Sequence, residues 1–161
     1  MNDERPVKSV SDSRTEQVHL LLPRSMNHKG RLFGGEMLRW IDEIAGIVSM
    51  RHSGRTCVTA SIERMDFKAG AKNGDVVYIC GYLTYVGNSS MEVRIDSYVE
   101  SISDGTRRLI NTAFFMMVAI DENEQPVQVP ALRVETLNEQ AEWESALRRR
   151  QFRKSRKAEG F

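Results

Sequence analysis

Residues 27–42 read N-H-K-G-R-L-F-G-G-E-M-L-R-W-I-D, a turn with glycines that runs directly into an apolar helix. At 100° per residue, one arc of this helix is apolar and the opposite arc is charged. The apolar arc comprises Met37, Leu38, Ile41, Ile44, Ala45 and Val48. Asp42 is the exception, because it lies at the rim of the apolar arc beside small side chains. A carboxylate in such a place is a candidate functional group.

The start of this helix has no side chain that could cap it. Gly34 and Gly35 stand where Ser, Thr, Asp or Asn usually satisfies the free backbone N–H groups of the first turn. An open helix N-terminus carries partial positive charge, so the Gly35 N–H could hold a ligand oxygen that becomes negative during a reaction. A solvated aspartate and a simple glycine turn remain the alternative on these residues alone.

The chain on either side of this helix predicts the fold class. The helix should span residues 35–51 and end at Gly54, and residues 56–129 are strand-like. Apolar and charged residues alternate over 91–99, which predicts a sheet with one wet face, and Asp-Gly at 104–105 predicts a hairpin turn. Because the sheet needs something to cover its dry face, it should wrap the one long apolar helix. The predicted class is α+β.

Length and composition indicate one domain without an obvious nucleic-acid or membrane partner. The chain has 161 residues, 40% of them hydrophobic, and a formal net charge of +1. Residues 1–14 resemble a disordered leader, and we find neither a signal peptide nor an apolar run of membrane-spanning length. We therefore expect a cytoplasmic protein whose main domain covers residues 15–133.

The cysteine and histidine residues do not suggest a metal site. Cys57 and Cys80 lie in strand-like sequence, where buried reduced thiols are expected. The three histidines are scattered without the spacing of metal ligands. We therefore predict no metal site and no disulfide.

The C-terminal segment, residues 134–161, predicts a second helix with a basic tail. Thr136 and Glu139 form a capping-box pattern, and acidic residues precede a cluster of Arg and Lys that begins at Arg148. This order of charges suits the helix dipole, which is one explanation for it. The other is that the basic cluster binds an anionic ligand or nucleic acid.

Several motifs together resemble one enzyme family. Asn27 lies three residues before Gly30, Phe-Gly-Gly occupies 33–35, Trp40 follows, and Asp42 lies seven residues after Gly35. The stretches T-A-S-I-E-R-M-D-F at 59–67, N-G-D-V-V at 73–77, G-N-S-S at 87–90 and V-A-I-D at 118–121 follow in the matching order. Over residues 15–133 the chain resembles the hotdog-fold acyl-CoA thioesterases, specifically the cytosolic acyl-CoA hydrolase subfamily.

This resemblance implies a fold, an assembly and a reaction. The fold is a long central helix wrapped by a curved antiparallel sheet, and the assembly is a homodimer, often a trimer of dimers. The reaction is hydrolysis of fatty acyl-CoA to free fatty acid and CoA, with no cofactor because coenzyme A is part of the substrate. Asn27 of one subunit would face Asp42 of the other, with Asp42 as general base or nucleophile and the Gly35 N–H as oxyanion donor.

The resemblance also nominates residues that contact coenzyme A. They are Phe67, Lys68, Gly87, Asn88 and Ser89, whose backbone N–H groups and polar side chains would meet the pantetheine and phosphates.

Three other functions stay open at this point. The first is a non-catalytic acyl-CoA-binding or regulatory hotdog protein, which would not need both Asn27 and Asp42. The second is a hydratase of the same fold, for which His28 is the only nearby histidine. The third is a nucleic-acid binder that uses the basic tail, whose binding would depend steeply on salt.

Overall fold

The computed structural model describes residues 5–161, within which seven strands and two helices form. In chain order they are β1 (Val7–Ser9), β2 (Thr15–Leu20), α1 (Gly34–Ser53), β3 (Thr56–Phe67), β4 (Val76–Val86), β5 (Ser90–Glu100), β6 (Arg107–Ile120), β7 (Ala131–Arg133) and α2 (Leu137–Ala158).

Five strands form one antiparallel sheet in the order β2-β4-β5-β6-β3. Register shifts interrupt the pairing within β3, β4 and β6, and such bulges bend strands and increase their twist. The helix α1 contacts all five strands, as a helix wrapped by a curved sheet must. The expected α+β hotdog architecture is confirmed.

The apolar arc of α1 fills the core. Ile41, Ile44 and Val48 are fully buried, as the helical periodicity predicts. The helix lies so close to the sheet that a Cβ atom on Gly81 of β4 would come within 2.4 Å of Ile44 Cγ2. Gly81 therefore permits the close approach of helix and sheet that fixes the position of α1.

A glycine stands at each end of α1. Gly54 ends the helix in the left-handed region, with φ of 67°, and its N–H donates to Met50 O at 2.8 Å. At the other end Phe33 is the N-cap residue, and its side chain makes no capping hydrogen bond. The helix begins at Gly34, one residue before the predicted start.

The helix α2 covers part of the outer face of the sheet, which the alternating pattern predicted to be exposed to solvent. The helix α2 begins with the predicted capping box, Thr136 with Glu139, and lies against β4. Glu92 on β5 is 0% exposed, and Arg149 and Arg153 of α2 each bind its carboxylate at 2.7 Å. The prediction of a solvent-exposed face is therefore wrong at Glu92 and at the buried Asp96: α2 supplies the counter-charge for Glu92, and Arg94 of β5 pairs with Asp96 at 2.9 Å.

The N-terminal segment also differs from its prediction within residues 5–14. In place of a disordered leader, β1 pairs in parallel with β7, and a short 3₁₀ turn over Val10–Asp12 leads on to β2. Arg5 Nε donates to Val129 O at 2.7 Å, which connects this segment to the loop that precedes β7. Residues 1–4 of the predicted leader lie outside the described residues.

Candidate active site

Asp42 projects from α1 toward the edge strand β3. Its side chain is exposed, and the hydroxyl of Thr59 donates to Oδ1 at 2.7 Å. The second carboxylate oxygen, Oδ2, accepts no hydrogen bond within residues 5–161. The structure thus confirms that Asp42 lies at the rim of the apolar arc, and it leaves one oxygen free to accept a proton.

The N-terminus of α1 presents an unused donor. The N–H groups of Glu36 and Met37 both donate to Phe33 O, whereas the N–H of Gly35 has no acceptor among the described residues. A Cβ atom at Gly35 would lie 2.6 Å from the Phe33 ring, so a larger residue would require that ring to move. Gly35 therefore keeps an open, partially positive helix end accessible to a ligand.

Asn27 is fixed by its own loop. Its Oδ1 accepts hydrogen bonds from the N–H groups of Lys29 at 2.8 Å and Arg31 at 3.2 Å. The Asn27 N–H also donates to Arg31 O at 2.7 Å, and Gly30 completes the turn with φ of 68°. Because the amide oxygen is occupied, the chemistry left to Asn27 is that of a donor through Nδ2.

Three of the predicted site residues share one cavity. A cavity of about 330 Å³ is lined by Asn27, Phe67 and Lys68 together with residues of the loops around them. The Phe67 ring is 59% exposed and lies 3.6 Å from the Cβ position of Gly34, at the start of α1. The structure therefore brings Asn27, Phe67 and Lys68 together beside the helix N-terminus.

The predicted turn of Gly87, Asn88 and Ser89 lies elsewhere in the chain. Along β6, Phe67 pairs with Asn111 whereas Ser90 pairs with Val118, a separation of roughly 23 Å at the rise of a strand. Asn88 O accepts from Val129 N at 2.9 Å, and Asn88 Oδ1 accepts from Gln128 Nε2 at 3.0 Å. One chain does not place this turn beside Phe67 and Lys68.

Gly35 and Asp42 lie about two turns apart along α1. Seven residues separate them on the same face of α1, which corresponds to roughly 10 Å along the axis. One reacting carbonyl group cannot contact both at hydrogen-bond distance.

A second cavity, about 620 Å³ in volume, lies between the outer sheet face and α2. Arg94 on its wall is paired with Asp96 and Glu142, and Arg107 is paired with Glu100. Burial raises the pKa of Tyr78, also on the wall, to about 12. Arg94 and Arg107 of this cavity are thus paired with carboxylates, and the Tyr78 phenol stays protonated at neutral pH.

Thr59 is the site residue that the sequence did not single out. It belongs to the quoted stretch 59–67, but nothing in that pattern shows that its hydroxyl reaches a carboxylate 17 residues earlier. His28, the histidine of the hydratase alternative, is exposed and makes no side-chain hydrogen bond within residues 5–161. Among the same residues, no group of three or more His, Cys, Asp or Glu could hold a metal ion.

Two other features of the described chain bear on the sequence predictions. Both cysteines are free thiols; Cys80 is buried, as predicted, whereas Cys57 is only half-buried. Within residues 5–161 no helix is both long enough and apolar enough to cross a bilayer.

Known proteins resemble this chain in sequence. A family model described as Thioesterase superfamily matches residues 29–105. The uncharacterized acyl-CoA thioester hydrolase YkhA of Bacillus subtilis (strain 168) is 38% identical over 146 residues, which are 91% of this chain and 85% of that protein. The cytosolic acyl coenzyme A thioester hydrolase of Rattus norvegicus is 32% identical over 138 residues, and the match covers 84% of this chain but only 36% of the rat protein.

Solved structures show the same relationship. An apo-hexameric acyl-CoA thioesterase is 40% identical with a TM-score of 0.91, covering 95% of this chain and 98% of its own. The acyl-CoA hydrolase of Staphylococcus aureus in complex with butyryl coenzyme A, coenzyme A and coenzyme A disulfide is 33% identical with a TM-score of 0.91, covering 96% and 94%. Forms of the S. aureus enzyme with alanine at an asparagine, an aspartate or a threonine give TM-scores of 0.92, 0.91 and 0.90.

The fold and these similarities define a thioesterase of the hotdog class. Within that class, the chain belongs to the family of acyl-CoA thioester hydrolases.

Proposed function

We propose that this enzyme hydrolyses fatty acyl-CoA to free fatty acid and CoA at a site shared between two subunits. The observation that carries the proposal is the pair of Asp42 and Thr59, which holds one oxygen of an exposed carboxylate and leaves the other free. Asparagine, aspartate and threonine are also the residue types replaced in the S. aureus structures.

Asp42 is the residue that activates the nucleophile. As a general base it takes a proton from water through Oδ2, and the oxygen of that water attacks the thioester carbonyl carbon. The C–S bond then breaks, the acyl group leaves as the free acid, and the CoA thiolate takes up a proton. As a nucleophile Asp42 would instead attack the carbonyl carbon itself, the C–S bond would break to release the CoA thiolate, and water would hydrolyse the resulting anhydride to the free acid and the Asp42 carboxylate.

Gly35 and Asn27 stabilise the negative charge that develops on the carbonyl oxygen. The Gly35 N–H lies at the positive end of α1, and Asn27 keeps its Nδ2 as a donor. Since Asp42 of the same chain is roughly 10 Å farther along the helix, the carboxylate for this site comes from Asp42 of the partner subunit. Each dimer then has two such sites.

Assembly through β3 would create this shared site. The strand β3 is an edge strand of 12 residues, and its Val58 and Ile62 are 43% and 42% exposed. An edge strand of this length with exposed apolar side chains needs a partner, and a two-fold axis beside it supplies a second copy of the same edge. We propose a homodimer of this kind and, by analogy with the apo-hexameric neighbour, a trimer of dimers.

The remaining predicted site residues contact the coenzyme A part of the substrate. Phe67 and Lys68 hold the coenzyme A part of the substrate, and Gly87, Asn88 and Ser89 of another subunit complete that contact.

The reaction needs no cofactor and no metal, since thiolate is a good leaving group. We propose no nucleic-acid partner; two arginines of the basic helix, Arg149 and Arg153, bind Glu92 of the same chain. The proposed location is the cytoplasm.

The test is a panel of acyl-CoA substrates from acetyl to palmitoyl, with release of CoA measured by a thiol reagent. Turnover that depends on chain length is the expected result. Because Cys57 and Cys80 are free thiols, a blank without substrate corrects for the protein's own reaction. Tight binding of acyl-CoA without release of thiol for any chain length would favour a non-catalytic binding protein instead.

A further inference from the structure

The helix α2 crosses the outer face of the sheet from β4 to the edge strand β3. Near the start of the helix, the Trp143 ring packs against Tyr85 of β4 with 4.8 Å between the ring centroids. In its last turn, Arg156 Nη2 donates to Glu63 Oε2 of β3 at 2.9 Å. The ion pairs with β5 described above lie between these two contacts. The C-terminal end of α2 therefore contacts the same strand that carries Thr59.

Strand β3 is irregular where α2 meets it. Its pairing with β6 has one register shift between Thr59 and Ser61 and another between Ile62 and Arg64. Each shift leaves one residue of β3, at positions 60 and 63, without a partner on β6. Such bulges disrupt the ladder of backbone hydrogen bonds locally. The sheet alone therefore fixes this part of β3 less firmly than a regular ladder would.

The first bulge determines the face of the sheet to which Thr59 points. In a regular strand, residues two apart point to the same face. Here Thr59 binds Asp42 of α1 on the inner face, whereas Ser61 donates to Glu63, which binds α2 on the outer face. The extra residue at position 60 inverts the alternation. A slip of β3 by one residue would turn the Thr59 hydroxyl away from Asp42.

Both oxygens of the Glu63 carboxylate hold this irregular stretch. Oε1 accepts the Ser61 hydroxyl at 2.6 Å, and Oε2 accepts the Arg156 guanidinium at 2.9 Å. The Glu63 side chain is only 14% exposed, and a partly buried ion pair is screened less by salt than a surface pair. Glu63 thus connects the bulged backbone of β3 to the last turn of α2.

We infer that Glu63 is a positioning residue: it holds β3 in the bulged register that keeps the Thr59 hydroxyl on Asp42, and Arg156 of α2 holds Glu63. The C-terminal helix then contributes to turnover as well as to stability. This inference rests on the proposed function, in which Asp42 and Thr59 carry the reaction. Neither Glu63 nor Arg156 lines the cavity that contains Asn27, so their effect passes through β3.

The inference predicts a loss of kcat with little change in KM. Glu63→Ala should lower kcat for butyryl-CoA by up to about tenfold, the limit set by the Thr59 hydrogen bond itself. Arg156→Gln should lower it only about twofold to threefold, because the arginine side of this pair is 58% exposed. Glu63→Gln keeps an acceptor for Ser61 and should lose no more than Arg156→Gln.

Lys157→Gln is the matched control for the charge removed from α2. Lys157 is exposed, follows Arg156 directly and has no carboxylate within 4.0 Å in the described part of the chain, residues 5–161. Its replacement should leave both kcat and KM unchanged.

A double-mutant cycle tests whether Glu63 acts through Thr59. If it does, Glu63→Ala has nothing left to disturb once Thr59→Ala has removed the hydroxyl. The double variant should then stay about tenfold below the unmodified enzyme in kcat. Independent effects would multiply to about a hundredfold, and that result would overturn the inference.

The methyl resonance of Thr59 separates this inference from the proposed function. In protein with isotope-labelled threonine methyl groups, Thr59→Ser identifies the signal by removing it. Glu63→Ala should shift that signal, whereas Lys157→Gln should not. A shifted signal with unchanged kcat in both Glu63→Ala and Thr59→Ala would remove Thr59 from the proposed mechanism and leave the positioning role standing.

An unmoved Thr59 signal in Glu63→Ala would overturn the inference. Dissociation of the oligomer in light scattering would also overturn it, because Glu63 would then belong to the subunit contact. If Glu63→Ala does not fold, the same measurements on Arg156→Gln decide, since that change lies at the exposed side of the pair.

Discussion

The Thr59 hydroxyl lies 2.7 Å from Asp42 Oδ1 and joins the edge strand β3 to the central helix α1. Because the hydroxyl donates, it fixes the rotation of the carboxyl group and leaves Oδ2 as the free acceptor. Thr59 pairs with Met117 in the sheet, so the backbone that carries the hydroxyl is itself held in place. This contact turns a surface aspartate into an oriented one.

The first prediction concerns the carboxylate. Asp42→Asn keeps the size of the side chain but removes the base, so kcat should fall by roughly 10²-fold or more. Secondary structure, thermal stability and oligomeric state should be unchanged, because the side chain is exposed. Turnover within about threefold of the unmodified enzyme, worth less than 1 kcal/mol of barrier, would remove Asp42 from the mechanism.

The second prediction concerns Thr59, which orients the Asp42 carboxylate. Thr59→Ala should lower kcat about tenfold, the value of one hydrogen bond to a charged group, with a smaller effect on KM. Thr59→Ser retains the hydroxyl and should recover most of the loss. If the serine variant is as impaired as the alanine variant, the hydroxyl is not what matters at this position.

The third prediction tests the shared site. Asn27→Ala and Asp42→Asn should each be inactive alone, yet their mixture should recover activity once subunits exchange. Random exchange makes about half the dimers mixed, and one of two sites in each mixed dimer is intact, so recovery should approach roughly a quarter of the original turnover. Exchange is verified by mass spectrometry of labelled subunits. No recovery after verified exchange would place both residues in one chain.

The fourth prediction concerns the attachment of α2. Glu92 is fully buried and also accepts the Thr84 hydroxyl at 2.7 Å, so Glu92→Ala leaves two arginines without a counter-charge. The free energy of unfolding should fall by about 3–5 kcal/mol in urea titrations at fixed protein concentration. Glu100→Ala, which breaks the more exposed pair with Arg107, is the control and should change stability little. Equal losses of unfolding free energy in the two variants would mean that Glu92 does not hold α2 against the sheet.

The fifth prediction concerns pH. Burial lowers the pKa of His52, whose Nε2 contacts Pro130 O at 2.9 Å and whose Nδ1 has no partner among the described residues. The unfolded chain then binds the proton more readily, so the neutral folded form loses stability as pH falls below about 6.5. His52→Gln should make the free energy of unfolding depend less steeply on pH between about 7.5 and 5.5. An unchanged slope would show that other groups cause the dependence.

The sequence by itself determined the helix and its surroundings because those signals are local. The arc of Ile41, Ile44 and Val48, the stop at Gly54 and the capping box at Thr136 each depend on spacing within a few residues. Asp42 stood out for the same reason, as a carboxylate that broke a helical pattern. The antiparallel strands and the α+β class followed from periodicity and turn residues.

Tertiary structure alone decided which side chains meet. The alternation around Glu92 predicted solvent, but α2, more than 40 residues later, covers that face and supplies Arg149 and Arg153. Thr59 reaches Asp42, and Arg156 reaches Glu63, only because α1 and α2 pack on opposite faces of the sheet that contains β3. Such contacts depend on how distant segments pack, and periodicity within one segment carries no record of them.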